Sequence, residues 1–468
     1  MSLATRIYAR APVWLQNLFV SAYGARLRTL RYGRTGRATL ARLRQSQWMS
    51  GDEVRRYQLS ALTAVVAAAT SDVPFYRERS PKVVQLNSFE SLRELPLLTK
   101  SDVQRVGREL ISDRYRKRGL PEIHTGGTTG KPLAIFCDRA TLQRNYAFFA
   151  RFKEQAGIAS GARTATFAGR TLIPSGASAP YWRHNRAANT LLFSSYHIGR
   201  ATIPSYVQAL GEFAPALIDS YPSSIEPIAR YILEQSITSV RPTAVITSSE
   251  TLFPPVRTLL ERAFGCPVFD HYGSAEMVAL ITQCEAGTYH AVPEFGFIEV
   301  LHDGRPVRPG EAGEIVATGF INPVMPLLRY ATGDRAVLGS GICSCGRAGQ
   351  TLDRIEGRMD DVIVTPEGNL VGRLDPIFKA VSSLEETRIV QDAVDHVRVE
   401  IVASSDFTAA MENNLEAQLR ARLGPSMHID ILRVPSIERT GSGKLRTTVN
   451  LVYPRQSEQR VNAQLSRP

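Results

Sequence analysis

The sequence predicts an α/β protein, in which a large N-terminal body of β-sheets and flanking helices precedes a small α+β domain. Two observations lead to this fold class. Between residues 120 and 360, β-rich runs such as Ala244–Thr247 and Phe297–Val300 alternate with helical runs such as Ser224–Gln235, and such alternation indicates an α/β body. After residue 360, strand-like and helical runs fill a stretch of roughly 110 residues, which suits one small domain.

In chain order, the predicted parts are a mostly helical segment at residues 1–115, an α/β body at residues 116–359 and a C-terminal domain at residues 360–468. A linker-like stretch, Val73–Tyr76, interrupts the first part. Further strands are predicted at Pro267–Asp270, Glu314–Thr318, Arg388–Val390, Val397–Val402 and His428–Leu432, the last as the final strand, and further helices at Val256–Phe264, Leu374–Val381 and Thr408–Leu423.

The composition is that of an ordinary globular protein. Of 468 residues, 43% are apolar and 21% are charged, so the chain can bury a substantial core and is not expected to be disordered. The most apolar early stretch, Ala11–Tyr23, is too short for a membrane span and contains Gln16 and Asn17. It also lacks a convincing signal-peptide cleavage pattern. We therefore expect a cytoplasmic protein.

Positive charge is concentrated at the N-terminus. The net charge is +12, and residues 1–50 contain nine arginines and no acidic residue. One interpretation is peripheral contact with the inner face of an anionic membrane. The interpretation that we favour from sequence is a helical segment whose arginines pair with the main domain or are solvated, while apolar residues such as Trp14, Leu18 and Phe19 pack on the body. Nucleic-acid binding is not expected, because no recognised binding motif accompanies the charge.

A loop rich in glycine and threonine lies between two short apolar runs, Glu122–His124 and Leu133–Phe136. Glycines let the backbone approach an anion, threonine hydroxyls add donors, and Lys131 adds a positive charge. The spacing of the glycines and Pro132 after the lysine do not fit a Walker loop. A simple hairpin turn is the alternative. The predicted phosphate-binding residues are Thr125, Gly126, Gly127, Thr128, Thr129, Gly130 and Lys131.

Four further motifs follow in order: Asp270–Glu276, Tyr330–Asp334, Arg354–Asp361 and Arg439–Lys444. Together with the glycine loop, this series resembles the adenylate-forming superfamily of acyl-CoA synthetases, adenylation domains and luciferases. Within that superfamily the chain resembles the phenylacetate-CoA ligase-like branch. Residues 361–368 and 371–375 are similar to its capsular polysaccharide biosynthesis subgroup, and the resemblance extends over nearly the whole chain.

The resemblance implies an AMP-forming ligase with a nucleotide- and acyl-binding body and a mobile C-terminal domain. Such an enzyme uses ATP and Mg²⁺ to convert a small-molecule carboxylic acid into an acyl-adenylate with release of pyrophosphate, and an acceptor then displaces AMP. The subgroup favours an amine or hydroxyl acceptor, in polysaccharide or related biosynthesis, and CoA is the alternative acceptor of a phenylacetate-type aryl- or acyl-CoA ligase. A catalytically silent nucleotide-binding scaffold protein is a second alternative.

The resemblance also assigns catalytic residues. Lys131 acts on the outgoing phosphates, Glu276 matches a magnesium-binding glutamate, and Lys444 matches a mobile lysine that neutralises charge between the carboxylate and the α-phosphate. Asp360 matches the hinge of the small domain. Without the resemblance, Glu276 is equally a helix cap and Asp360 a solvated linker acid.

Other residues are assigned to the nucleotide. Tyr272 is expected against the adenine, with Ser249 and Glu250 lining the base pocket, although a buried core tyrosine is the alternative. Asp334 is expected at the ribose hydroxyls with Arg358 beside it, whereas Thr-Gly-Asp alone signals only a turn. The remaining nucleotide-binding positions are His271, Gly273 and Ser274.

An amine or hydroxyl acceptor must lose a proton to become nucleophilic. His197 and His271 are the two candidate bases, since histidine titrates near neutral pH. The alternative for either histidine, which is the more common role of the residue, is a packed or hydrogen-bonded structural residue.

The five cysteines of a cytoplasmic chain are not expected to form disulfides. Cys343-Ser344-Cys345-Gly346-Arg347 resembles a Cys-Pro-Cys-Gly-Arg-type run of phenylacetate-CoA ligase-like proteins. Three thiolates and one imidazole suit a closed, structural tetrahedral Zn²⁺ site. Reduced structural thiols are the alternative, because the spacing is not that of a usual zinc knuckle. The predicted zinc ligands are Cys284, His290, Cys343 and Cys345.

Overall fold

The computed structural model describes residues 8, 10–79, 86–117, 119–124, 133–168, 172–173, 178–198, 201–358, 363–366, 370–371, 374, 377–378, 381, 383–439 and 445–452. Several predicted site residues fall outside these ranges. They are the whole Thr125–Lys131 loop, Asp360 and Lys444, and for Arg358 the side chain is not described.

Helices have clear starting signals. Ser50 and Glu53 form a capping box before the helix that begins at Gly51, and Thr99 and Asp102 form another before Lys100, so each satisfies backbone N–H groups that a helix start leaves unpaired. The helices are α1 Val13–Arg31, α2 Arg34–Ser46, α3 Gly51–Asp72, α4 Pro74–Arg79, α5 Lys100–Val106, α6 Arg139–Gln155, α7 Ile203–Phe213, α8 Pro222–Glu234, α9 Pro254–Phe264 and α10 Ala409–Leu423.

Most strands join one large mixed sheet. The strands are β1 Glu122–His124, β2 Ala134–Phe136, β3 Thr164–Ala168, β4 Trp182–Asn185, β5 Thr190–Ser194, β6 Leu217–Ser220, β7 Ala244–Ser248, β8 Val268–Gly273, β9 Leu280–Gln283, β10 Tyr289–Ala291, β11 Gly296–His302, β12 Arg305–Pro306, β13 Ala312–Gly319, β14 Tyr330–Leu338, β15 Thr351–Arg358, β16 Ile363–Val364, β17 Leu370–Val371, β18 Leu384–Ala393, β19 His396–Ala403, β20 His428–Arg433 and β21 Thr448–Asn450.

The large sheet is 13-stranded, in the order β12-β11-β13-β14-β15-β10-β9-β8-β7-β6-β3-β5-β4. Strands β5, β3, β6, β7 and β8 are adjacent in that order and run parallel to one another, and helices such as α8 and α9 bury apolar faces beside them. Buried apolar runs such as Ala244–Thr247 are typical of parallel strands covered on both sides. The C-terminal sheet has the order β20-β19-β18-β21, while β1 pairs with β2 and β16 with β17.

The chain divides into two compact units. The first contains Met1–Thr332 and Ala336–Ile355, and the second contains Gly333–Arg335 and Glu356–Pro468. In the second unit, apolar residues of β18, β19 and α10, such as Ile389, Val399 and Leu415, form a separate core. The predicted α/β fold class with an α+β C-terminal domain is therefore confirmed. The predicted domain boundaries after residues 115 and 359 stay predictions.

Two local predictions are wrong. Val73–Tyr76 is not a linker, because α4 begins at Pro74 and proline is well suited to a first helical position. The strand at His428–Leu432 is not the last one, because β21 pairs in parallel with β18 further along the chain. No helix in the described ranges combines the length and the apolar character that crossing a membrane requires.

The favoured interpretation of the N-terminus is wrong in one respect. Trp14 and Leu18 do not pack on the body, since their exposed fractions are 68% and 57%. Some arginines do contact the main body: Arg44 pairs with Glu154 at 2.5 Å, and Arg31 lies over a tyrosine ring at 4.4 Å.

Candidate functional site

Parallel strands bring two of the predicted motifs to one edge of the large sheet. β7 ends at Ser248, just before Ser249 and Glu250, and Ser248 pairs with His271 near the end of β8. Ligands of open α/β sheets bind at this carboxyl edge. Ser249 has φ +69°, a left-handed conformation that non-glycine residues adopt rarely and that often marks a functional loop.

Glu250 has a contact that the sequence did not indicate. Its carboxylate accepts hydrogen bonds from the backbone N–H of Ser223 at 3.0 Å and from the Ser223 hydroxyl at 2.9 Å. Ser223 lies in the first turn of α8, where a helix presents unpaired N–H groups and favours negative charge. Glu250 therefore connects the loop after β7 to the start of α8.

The loop after β8 contains polar atoms with no described partner. Tyr272 is half-buried beside the main apolar core, and Gly273 ends the strand. The hydroxyl of Ser274 and Nδ1 of His271 are buried without a hydrogen bond to any described residue. Buried polar atoms are normally paired in folded proteins, so these two atoms are suited to a polar ligand.

Glu276 forms a hydrogen bond with a residue of the next motif along the chain. Glu276 is 9% exposed, and its carboxylate accepts a hydrogen bond from the Tyr330 hydroxyl at 3.1 Å. Tyr330 is itself buried, at the start of β14. The Asp270–Glu276 and Tyr330–Asp334 motifs therefore meet through this bond. Asp334, which is half-buried, follows on the same strand.

Tyr330 is a site residue that has no role assigned from the sequence. The available signal was its position as the first residue of a recognised motif. The residue before it is also well fixed: the Arg329 guanidinium forms a buried ion pair with Glu299 at 2.9 Å and donates to the carbonyls of Arg93 and Leu95. These contacts fix the chain immediately before Tyr330.

His271 is surrounded by aromatic rings. The ring centroids of Phe149 and Phe152 lie 5.2 Å and 5.4 Å from the imidazole. Burial lowers the pKa of His271 to about 4, so the ring is neutral near pH 7. A base of such low pKa is poorly matched to proton transfer at neutral pH.

His197 has a different environment. Its Nδ1 lies 2.7 Å from the Ser194 hydroxyl, and its ring stacks on Tyr181 at 5.4 Å. Ser194 and Tyr181 therefore fix the orientation of the His197 imidazole.

Asp270 links the strand of His271 to a hairpin formed by β9 and β10. Its carboxylate accepts hydrogen bonds from Thr247 at 2.6 Å and from the Tyr289 hydroxyl at 2.8 Å. Burial raises the pKa of Asp270 to about 6 despite these donors. Asp270 therefore fixes β8 against β10.

The four predicted zinc ligands converge. Cys284 and His290 are carried by the β9–β10 hairpin, and Cys343 and Cys345 by the connection between β14 and β15; their ligand atoms all lie within 4.8 Å of one another. The Cys284 and Cys343 sulfurs are 3.6 Å apart, and the Cys345 sulfur lies 3.4 Å from Nε2 of His290. Tetrahedral zinc places two sulfurs about 3.8 Å apart and sulfur and nitrogen about 3.6 Å apart. The four residues therefore fit one zinc ion.

N–H and hydroxyl groups point at the sulfurs. The backbone N–H of Arg347 lies 3.5 Å from the Cys345 sulfur. Burial opposes ionisation of Cys343, but hydrogen bonds from the Thr288 side chain and the Cys345 backbone lower its pKa. Burial raises the pKa of Cys284 to about 11 and lowers the pKa of His290, which keeps the imidazole neutral. Such donors stabilise metal-bound thiolates.

Comparison with known proteins agrees with the motifs. A family model described as the CapK C-terminal domain matches residues 363–451. Protein CapK of Staphylococcus aureus is 28% identical over 464 residues, which cover 95% of this chain and 98% of that protein. The predicted resemblance is confirmed. Phenylacetate-coenzyme A ligase of Thermus thermophilus is 22% identical over 446 residues, covering 86% of this chain and 97% of the ligase.

A solved structure shares the fold. The 2-hydroxyisobutyryl-CoA ligase, in its postadenylation state in complex with R3-HIB-AMP, superposes with a TM-score of 0.66 at 21% identity and covers 89% of this chain and 94% of its own. The chain thus has the fold of adenylate-forming ligases.

Proposed function

We propose that this protein is an AMP-forming ligase that activates a small carboxylic acid with ATP as an acyl-adenylate and releases pyrophosphate. The observation that best supports it is the hydrogen bond from Tyr330 to the buried carboxylate of Glu276. It brings together two motifs that are far apart in the chain, and the first of them also contains Nδ1 of His271 and the Ser274 hydroxyl, which are buried without a described partner. The similarity to CapK and to phenylacetate-CoA ligases supports the same class.

Each proposed role follows from charge and position. A carboxylate attacks ATP only when the repelling phosphates are neutralised and the reactants are held in line. We assign phosphate binding to Thr125–Lys131 and charge neutralisation at the α-phosphate to Lys444, both from their motifs. Glu276 is the proposed ligand of Mg²⁺, which prefers hard oxygen ligands and when bound screens the phosphate charge.

The base and the ribose are assigned to two other groups of residues. Tyr272, with Ser249 and Glu250 near the end of β7, forms the proposed adenine site. Asp334 offers two acceptor oxygens to the ribose hydroxyls, with Arg358 beside it, and Asp360 is the proposed hinge of the C-terminal domain.

For the second step we propose an amine or hydroxyl acceptor, in polysaccharide or related biosynthesis, with His197 as the base. This preference rests on residues 361–368 and 371–375, whose sequence resembles the capsular polysaccharide biosynthesis subgroup. CoA is the alternative acceptor, as the name of the phenylacetate-coenzyme A ligases suggests. We propose a structural zinc ion at Cys284, His290, Cys343 and Cys345 and a cytoplasmic location.

Pyrophosphate release with ATP, Mg²⁺ and a panel of carboxylic acids tests the first step. We expect one acid class to give release, and Lys444→Ala to abolish it while ATP binding persists, because the lysine charge acts mainly in the transition state. Lys117→Ala, which removes an exposed lysine, is the matched control. ATP binding without pyrophosphate release from any acid would instead favour a silent scaffold.

The acceptor is tested with the preformed acyl-adenylate. CoA, amino acids and amino sugars are offered separately, and AMP release is measured together with the mass of the product. We expect AMP release with an amine or hydroxyl compound. A thioester formed with CoA alone would assign the protein to the acyl-CoA ligases.

A further inference from the structure

Helix α1 exposes four large apolar side chains, whereas its other apolar residues, such as Leu15 and Val20, are half-buried. The exposed fractions are 68% for Trp14, 57% for Leu18, 41% for Phe19 and 58% for Tyr23. Trp14 and Leu18 are four residues apart and form one exposed pair, and Phe19 and Tyr23 form a second. The second pair is rotated about 140° round the helix from the first, so the two pairs border the exposed half of the helix. We call these four residues the apolar stripe. A helix on a globular protein normally turns such a stripe towards the core.

Polar contacts fix α1 in this orientation. Asn17 accepts a hydrogen bond from the backbone N–H of His184 at 2.9 Å, and Ser21 donates to the His184 carbonyl at 3.2 Å. Gly24 lies against Asn185, where an added Cβ would come within 2.3 Å of the asparagine side chain. The stripe therefore cannot turn inward without breaking these contacts.

Positive charge lies at both ends of the stripe. Arg10 and Arg26 are exposed, and neither makes an ion pair with a described residue. Arg26 is seven residues after Phe19, which places both on one side of the helix. Arg34 and Arg37 on α2 are also exposed. Because residues 1–50 contain no acidic residue, nothing in this segment neutralises the charge locally.

We propose that α1 lies in the surface of an anionic lipid bilayer, with the apolar stripe at the boundary between headgroups and acyl chains and the arginines at the lipid phosphates. Tryptophan and tyrosine favour this boundary because each has an apolar body and a polar tip. Each arginine adds about 1 kcal/mol near an anionic membrane surface. The concentrated arginines favour a phospholipid surface over an apolar protein groove. This proposal is independent of the proposed ligase reaction.

Vesicle sedimentation with the full chain tests the proposal. We expect binding to vesicles of equal parts phosphatidylglycerol and phosphatidylcholine, weakening with added salt, and little binding to phosphatidylcholine alone. Trp14→Ser with Leu18→Ser should weaken binding to the anionic vesicles at least about tenfold, because two large apolar side chains are no longer transferred from water into the lipid. Leu432→Ser, on β20 and also exposed, is the matched control and should bind like the unchanged protein.

A second variant leaves the apolar stripe intact. Arg10→Gln with Arg26→Gln should weaken anionic binding about thirtyfold, from the loss of two charges, with little effect on the thermal midpoint. Equal binding by all variants, or no binding to anionic vesicles, would overturn the proposal. The proposal would also be overturned if light scattering showed that the unchanged protein is an oligomer and that Trp14→Ser with Leu18→Ser is a monomer. The stripe would then be a protein interface.

Discussion

The cysteine–histidine cluster and the Glu276 region both join distant parts of the chain, yet their polar atoms are satisfied differently. In the cluster, the four ligand atoms face one another within 4.8 Å, and backbone groups point at the sulfurs. At Glu276, one carboxylate has one tyrosine donor, and the nearby Ser274 hydroxyl lacks a described partner.

This difference separates stability from activity. The four ligand atoms of the cluster are satisfied once they hold a metal, whose free energy of binding adds to that of folding, although Nδ1 of His290 has no described partner. A region with unpaired polar atoms is completed only by a ligand. We therefore expect changes in the cluster to lower stability and changes near Glu276 to lower activity.

The largest effect is expected at the cluster. Cys343→Ser with Cys345→Ser should remove close to one equivalent of zinc and lower the free energy of unfolding by more than ~4 kcal/mol. Metal analysis and thermal unfolding measure the two effects. Cys266→Ser, at a cysteine outside the cluster, is the control. Purified protein that contains no zinc would contradict the metal site and favour reduced structural thiols.

Glu276→Gln should lower activity and leave stability nearly unchanged. Glutamine can still accept the hydrogen bond from Tyr330, so the thermal midpoint should be nearly unchanged, while pyrophosphate release falls about 100-fold because a charge near the phosphates is lost. The magnesium requirement should rise. Glu234→Gln, at an exposed position of α8, controls for the chemical change. An unchanged magnesium titration would remove Glu276 from the site.

A smaller effect is expected for Tyr330→Phe, which keeps the ring and removes the donor to Glu276. One lost hydrogen bond is worth about 1 kcal/mol, so pyrophosphate release should fall roughly tenfold or less, mainly through the KM for magnesium–ATP. Tyr76→Phe removes another buried hydroxyl, which donates to the Pro326 carbonyl, and should lower stability only. Equal kinetics for both variants would show that Tyr330 does not position Glu276.

The last prediction concerns Asp270, which is linked to both regions. It belongs to the same motif as Glu276, and it accepts a hydrogen bond from Tyr289, the residue before the zinc ligand His290. Because burial raises its pKa to about 6, the folded state holds the proton more tightly than the unfolded chain does. Its contribution to stability is fully present below the unfolded pKa of about 4 and is lost as the pH rises through about 6. Asp270→Asn removes this titration, so its free energy of unfolding should rise relative to that of the unchanged protein as the pH increases from 4 to 6.

Thermal midpoints of the two proteins across this pH range measure the difference. The comparison between two proteins is needed because His271 acts in the opposite direction: burial lowers its pKa to about 4, so its contribution is lost as the pH falls from about 6.5. Parallel curves for the two proteins would show that Asp270 does not titrate in this pH range.

Local pattern predicted much of the fold. Continuous apolar runs marked β7 and β8, and helical periodicity marked α8 and α9, because each buries one surface along its length. Val73–Tyr76 was mistaken for a linker because its proline starts a helix. The outward stripe of α1 was not predictable, because it depends on Asn17 and Ser21 meeting backbone groups of a strand more than a hundred residues away.

Motifs identified the candidate site residues, but not their contacts. The bond between Tyr330 and Glu276 depends on how β14 packs near the loop after β8, and the bond between Asp270 and Tyr289 depends on β10 lying two strands from β8. Such neighbours come from sheet order, which local pattern does not determine. The zinc ligands were predicted from family spacing, and the distances between their ligand atoms are compatible with one zinc ion.

Helix α1 also has a consequence for how the molecule avoids self-association. β4 is the last strand at one end of the large sheet, and Asn17 and Ser21 occupy the N–H of His184, the carbonyl of His184 and the N–H of Arg186 on its open side. An uncovered edge strand is a template for pairing with another chain. A shortened protein that begins after Arg31 would expose this template, and we expect it to aggregate through strand pairing while its core remains folded.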